Sequence, residues 1–183
     1  MKACILSVSG PDLTAEEAAF LSEAKPWAII VMGRSCVSKV QLKKLVEDIW
    51  EAIGRKCLIF IDQEGGRVAR LKAPEWPVFP PADTYHKLYQ ADQDTGIEAC
   101  RLGHTLMGLE LSSLGIHADC SPVVDLTIPG AHDIIGDRAF GADYGEGTRT
   151  TAVVVRHGED RDGVLGQGRY APGFGPDTPQ RTW

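Results

Sequence analysis

The sequence lacks any apolar run approaching the length of a membrane span, any excess of basic charge and any Cys-x-x-Cys pair. Each absence excludes something. Without a spanning segment, no membrane partner is expected. A formal net charge of -6 argues against a nucleic-acid partner, which would want a basic face. The opening stretch, Met1 to Leu13, has a short apolar run but neither the long apolar region nor the small-residue cleavage site of a signal peptide, so a cytoplasmic setting is expected. The cysteines, Cys4, Cys36, Cys57, Cys100 and Cys120, are odd in number and scattered. That pattern suits neither a disulfide framework nor a zinc site. Cys4, Cys57 and Cys120 fall in strand-like runs, where a reduced thiol behaves as a small hydrophobe.

What is present is a regular alternation. At 183 residues and 43% hydrophobic, the chain can build one domain with a core. "ACILSVSG" is a short apolar run closed by glycine. "LTAEEAAFLSEAKP" carries Thr14 and Glu17 at the spacing of a capping box, and Pro26 stops it. "WAIIVMG" is a second strand-like run. "SKVQLKKLVEDIWEAIG" repeats the device with Ser38 and Gln41. It puts Leu42, Leu45, Val46, Ile49 and Ile53 on one helical face before the Gly54 stop. "CLIFID" is a third strand. Strand, helix, strand, helix, strand predicts parallel strands joined by crossover helices, an α/β fold.

Beyond this, "KAPEWPVFPPAD" is expected to be an irregular loop. A third helix is predicted over "QDTGIEACRLGHTLMGLELSSLG", stopping at Gly115, and a fourth strand over "IHADCSPVVDL". "PGAHDIIGDRAFGADYG" reads as a long loop. A helix candidate weakened by Thr and Val covers 146–163, and "VLGQG" is a fifth strand candidate. Residues 1–165 are assigned to the folded portion and 166–183, rich in glycine and proline, to an irregular tail.

Chemistry in such folds gathers at the carboxyl ends of the strands. Three polar clusters fall there: Asp62 to Arg70, Asp119 to Asp125, and Asp133 to Arg138. Asp62 can accept hydrogen bonds from vicinal sugar hydroxyls, bind a metal or act in acid-base work. Equally, it can pair with an arginine to tie down a loop. Gly65 and Gly66 would allow a sharp turn and close approach to a ligand. Arg67 and Arg70 have the spacing of one helical turn. Glu64 is read as the acid partner of one of them. Arg138 is either fixed for recognition or bridged to Asp133 or Asp137. Asp125 more often caps a turn than does catalysis. The histidines, His86, His104, His117, His132 and His157, show no motif and are assigned surface or satisfied polar roles. No histidine or third acid lies near Asp62 and Glu64 in sequence, so neither a metal nor a cofactor is expected.

"IDQEGGRVARL", "DCSPVVDL" and "IGDRAFG", in that order, closely resemble the family 3 glycoside hydrolases, most of all the bacterial β-N-acetylhexosaminidases of peptidoglycan recycling. The resemblance runs over residues 1 to about 145. It implies a (β/α)8 barrel, here incomplete, with about four to five βα units present. It implies exo-acting removal of terminal N-acetylglucosamine from muropeptides or related oligosaccharides. The configuration would be retained through a covalent glycosyl-aspartate. Asp62, Arg70 and Arg138 match positions that hold the sugar, with Glu64 and Arg67 in support.

The sequence departs from that pattern toward its end. Where the family has a Lys-His-x-Pro-Gly-His-Gly motif, this chain has "RYAPGFG". Arg169 and Tyr170 stand at the sugar-binding lysine and its histidine neighbour, and Phe174 at the next histidine. No residue matches the acid/base dyad or the nucleophilic aspartate, so no catalytic residue is assigned. Asp177 is a carboxylate in the loop where the acid would lie. Three readings stay open: a truncated or frame-damaged piece of a β-N-acetylhexosaminidase, a non-catalytic sugar-binding protein, and a fragment that needs a partner chain. The open edges of an incomplete barrel offer a route to self-association.

Overall fold

Short apolar strands, the first three followed by helices, build one parallel sheet. The computed structural model describes residues 1–130, 132–143, 145 and 147, and the backbone of 165–166. Strands β1 (Lys2–Leu6), β2 (Pro26–Val31), β3 (Leu58–Ile61), β4 (Ala118–Asp119) and β5 (Leu165–Gly166) lie side by side in chain order, all parallel. Helices α1 (Ala15–Ala24) and α2 (Lys39–Ile53), then the pair α3 (Ala82–Ala91) and α4 (Gln93–Ser113), occupy the crossovers. Among the described residues the sheet does not close on itself, which is the partial barrel expected. None of the described helices is long and apolar enough to cross a membrane.

Both predicted capping boxes form. The Thr14 hydroxyl accepts the Glu17 amide while the Glu17 carboxylate accepts the Thr14 amide. Glu17 also takes the Ser9 amide at 2.8 Å, tying the end of the first strand's loop to α1. Ser38 and Gln41 repeat the exchange at the start of α2, and Gly54 ends that helix in the left-handed region.

Both faces of the sheet carry buried apolar residues, one under the helices and one on the inner side of the partial barrel. Ile29, Val31, Ile59 and Ile61 pack on Leu42, Leu45, Val46, Ile49 and Ile53 of α2 and on Met107, Leu111 and Leu114 near α4. Ala28, Phe60, Ala118 and Cys120 form the opposite face. All five cysteines are free.

Two elements differ from the sequence reading. Helix α3 was not anticipated: the proline-rich loop was expected to run to Asp83, and residues 84–92 were given no element. Its buried face is Ala82, Tyr85, His86 and Tyr89. The spacing is helical, but with tyrosines and a histidine on it the face does not stand out as apolar. α3 packs tightly on α4 because α4 has glycines opposite the tyrosines. A Cβ at Gly103 would stand 2.1 Å from the Tyr85 hydroxyl, and one at Gly96 would stand 2.3 Å from the Tyr89 backbone. The fourth strand is also much shorter than "IHADCSPVVDL". It ends at Asp119, and Pro122 has no N–H to extend a ladder. The helix expected over 146–163 lies almost wholly outside the described residues, as does the tail beyond 166.

Candidate functional site

The register sets the site. Val31 is level with Ile61, and Ile61 with Asp119, so the carboxyl ends of β2, β3 and β4 finish on one line. The residues that follow β3, Asp62, Gln63 and Glu64, are all buried, as is Asp119. Buried carboxylates need partners, and each finds a different one.

Asp62 accepts Arg70 Nη2 at 2.7 Å. Glu64 receives a two-pronged fork from Arg138, Nε to Oε2 at 2.6 Å and Nη2 to Oε1 at 2.8 Å. The sequence offered Arg67 or Arg70 as the partner of Glu64, and for Arg138 either a recognition role or a bridge to Asp133 or Asp137. The structure pairs Glu64 with Arg138 instead of with any of these partners. Arg67 points the other way, with Nε on Asp137 at 2.8 Å and Nη2 against the carbonyls of Asp133, Ile134 and Ile135 at 3.1, 2.8 and 3.0 Å. Arg67 and Arg70 do not share a helical turn. The Glu64 amide donates to Val68 O, and Gly65 bridges Val68 in antiparallel fashion, so this stretch is a tight hairpin.

The paired glycines serve the protein's own backbone. Gly65 has φ 90°, and a Cβ there would stand 2.3 Å from Pro80 O. Gly66 donates its amide to Phe79 O at 2.9 Å. The close approach expected of a ligand is therefore made by the proline-rich segment 79–81, which packs against the hairpin.

Gln63 was missed, and nothing in its sequence context except its place between two acids marks it. Its side chain closes the turn from both sides. Oε1 accepts the amides of Arg70 at 2.8 Å and Leu71 at 3.0 Å, and Nε2 donates to Leu71 O at 3.2 Å. Its own amide donates to Asp119 Oδ1 at 2.9 Å. Asp119 thus holds Gln63, and Gln63 holds Arg70 in reach of Asp62.

Burial pushes the Asp119 carboxyl well above the usual carboxylate range, and the nearby charges of Glu64 and Asp62 add to the effect against the pull of the Gln63 and Cys120 amides. Asp119 therefore holds its proton beyond the pH range of an ordinary carboxyl. Asp62 and Glu64 each sit on their own arginine.

Of the residues singled out from sequence, Asp62, Glu64, Arg70 and Arg138 come together here, and Arg67 sits on the outer side of the same loops. Arg169, Tyr170, Phe174 and Asp177 lie outside the described residues. His104 sits between Tyr85 and Phe140, with ring centroids 5.6 and 6.1 Å away, and its Nδ1 is 2.9 Å from Cys100 O. Among the described residues no group of three or more His, Cys, Asp or Glu side chains could hold a metal ion.

Comparison with known proteins agrees with this architecture. A β-hexosaminidase from Photobacterium profundum is 32% identical over 171 residues, covering 93% of this chain and 48% of that protein. One from Vibrio cholerae is 33% identical over 170 residues, covering 93% and 49%. Among solved structures, NagZ from Neisseria gonorrhoeae in complex with N-trifluoroacetyl-D-glucosamine superposes with a TM-score of 0.84 at 26% identity, over 92% of this chain and 50% of that one. The chain thus spans about half the length of these relatives. Residues 3–179 match the glycosyl hydrolase family 3 N-terminal domain, and with the parallel half-sheet and its strand-end acids this chain belongs to that family.

Proposed function

We propose that this chain is the sugar-holding portion of a β-N-acetylhexosaminidase acting on peptidoglycan fragments. In this reading it grips a terminal N-acetylglucosamine through Asp62, Arg70 and Arg138 and does not cleave the glycosidic bond alone. The observation that carries the reading is the pair of adjacent ion pairs, Asp62–Arg70 and Glu64–Arg138, at the carboxyl ends of neighbouring parallel strands. Barrel enzymes build their sites at that end. A carboxylate accepts from vicinal hydroxyls, and a guanidinium donates to hydroxyl or amide oxygen. Both groups are held in fixed orientation before any sugar arrives, which lowers the ordering cost of binding. Arg169 and Tyr170 are assigned to the same sugar on the family pattern. A retaining glycosidase needs a nucleophilic carboxylate and an acid/base group flanking one bond. Neither stands at a matched position in this sequence. The free cysteines suit the cytoplasmic setting we assign.

Titration of the chain with N-acetylglucosamine tests the reading. Binding is expected in the wild type, and Asp62→Ala should weaken it at least about tenfold, the scale of one lost charge-assisted hydrogen bond. A chromogenic β-N-acetylglucosaminide should not turn over. Equal affinity in Asp62→Ala, or turnover above blank that Asp62→Ala abolishes, would count against it.

A second reading, a fragment completed by another copy, is favoured by the first strand. Among the described residues β1 pairs only with β2. Beside it lies an open cleft of about 410 Å³ lined by Met1, Ala3, Cys4, Ile5 and Trp27. Met1, Ile5 and Trp27 are exposed. An uncovered strand edge with apolar flanks is a pairing template. Sedimentation velocity should show concentration-dependent self-association that Ile5→Lys abolishes; a wild type that stays monomeric at high concentration removes this reading.

A further inference from the structure

Two arginines exchange acids across two loops. Arg67, in the loop after β3, holds Asp137 of the loop after β4. Arg138, in the loop after β4, holds Glu64 of the loop after β3. Yet Arg138 is the immediate chain neighbour of Asp137, and Asp133 lies one turn back on the same loop. Either acid is far nearer in sequence than Glu64, which is 74 residues away. Arg67 occupies one of these alternatives, the Asp137 carboxylate, and at Asp133 it takes the backbone carbonyl. The fit is close: a Cβ at Gly136 would stand 2.8 Å from Asp133 Oδ1 and 3.3 Å from Arg67 Nη2. A side chain there would press on the ends of Asp133 and Arg67, and the φ of 46° also favours glycine.

We propose that Arg67 is a positioning residue that selects the partner of Arg138: by engaging Asp137 and the loop carbonyls, it keeps the Asp137 carboxylate from capturing that guanidinium and so leaves its fork on Glu64, facing the site. The Arg67–Asp137 pair is itself exposed on both sides, 47% and 41%. A pair so open to water adds little stability. Its worth is in specificity, the removal of a competing arrangement. The link from Arg138 to sugar rests on the proposed function above; the choice of partner does not.

The test follows the Nε–H of Arg138 by nitrogen-15 NMR in the full chain. In the wild type this proton is held on Glu64 and should exchange slowly with water. In Arg67→Ala it should exchange at least about tenfold faster, as expected when one charge-assisted bond is lost, while the thermal midpoint barely moves. The double variant Arg67→Ala/Asp137→Asn removes the competing carboxylate and should restore most of the protection. A loop that was merely loosened would gain nothing from the second change. Protection retained in Arg67→Ala, or not restored in the double variant, overturns the proposal. If Arg67→Ala fails to fold, Arg67→Lys, which keeps the charge without the fork, is put through the same comparison. N-acetylglucosamine affinity, measured in parallel, separates the two claims. Loss of protection with unchanged affinity would remove Arg138 from the sugar site and leave the partner selection standing.

Discussion

Glu64→Ala is expected to destabilise the chain by about 3 kcal/mol or more, the usual cost of removing one member of a buried ion pair. The Glu64 side chain is 5% exposed and that of Arg138 16%. Deleting the acid leaves a largely buried guanidinium with the Ile134 carbonyl at 3.2 Å and only the more distant charges of Asp125 and Asp62 to offset it. A group so placed cannot recover its hydration without opening the loop. The comparison within the same loops makes the prediction sharp. Asp137→Ala breaks an ion pair of the same chemistry, but both its members are open to water, and it should cost no more than about 1 kcal/mol. Urea denaturation of the two variants side by side gives the answer. Equal losses would mean that burial does not set the strength of the Glu64–Arg138 pair. The variant Glu64→Gln keeps the shape and loses the charge, and it should fall between the two.

How much of this was legible beforehand follows the range of the interactions. The capping boxes at Thr14 and Ser38 join residues three apart, and their residue types are dictated by local geometry, so they could be read directly. The parallel order of the strands followed from helices between short apolar runs. The place of the site followed from the polar residues closing those runs. Partners were not legible. Glu64 meets Arg138 and Arg67 meets Asp137 across 74 and 70 residues, and four candidate acids, Asp62, Glu64, Asp133 and Asp137, with three arginines permit many pairings. The role of Gly65 was also hidden, because the body it yields to is the Pro80 carbonyl and not a ligand. The resemblance to family 3 narrowed the list of residues. It could not say which arginine takes which acid.

Asp119 gives the site a pH dependence whose sign can be worked out. The groups that face it are the Asp62 and Glu64 carboxylates and the amides of Gln63 and Cys120. Its folded-state pKa is raised, so the folded chain holds a proton that the unfolded chain releases near the ordinary carboxylate value, about 4. Below that value both states are protonated and the stability is fully present. As pH rises beyond it the unfolded state ionises first, and stability falls by up to about 1.4 kcal/mol per pH unit until the folded carboxyl also titrates. Asp119→Asn removes this slope. Asparagine keeps an oxygen for the Gln63 amide and has no proton to lose. The variant should be close to wild type near pH 4 and progressively more stable than it toward neutrality, as read by thermal or urea unfolding at each pH. Taking the difference between the two chains cancels every other titrating group they share. A difference that stays flat from pH 4 to 7 would mean that Asp119 is ionised in the folded state. Three carboxylates would then face the two arginines of the inner site, Arg70 and Arg138. Protonated, Asp119 leaves Asp62 and Glu64 each matched by one guanidinium.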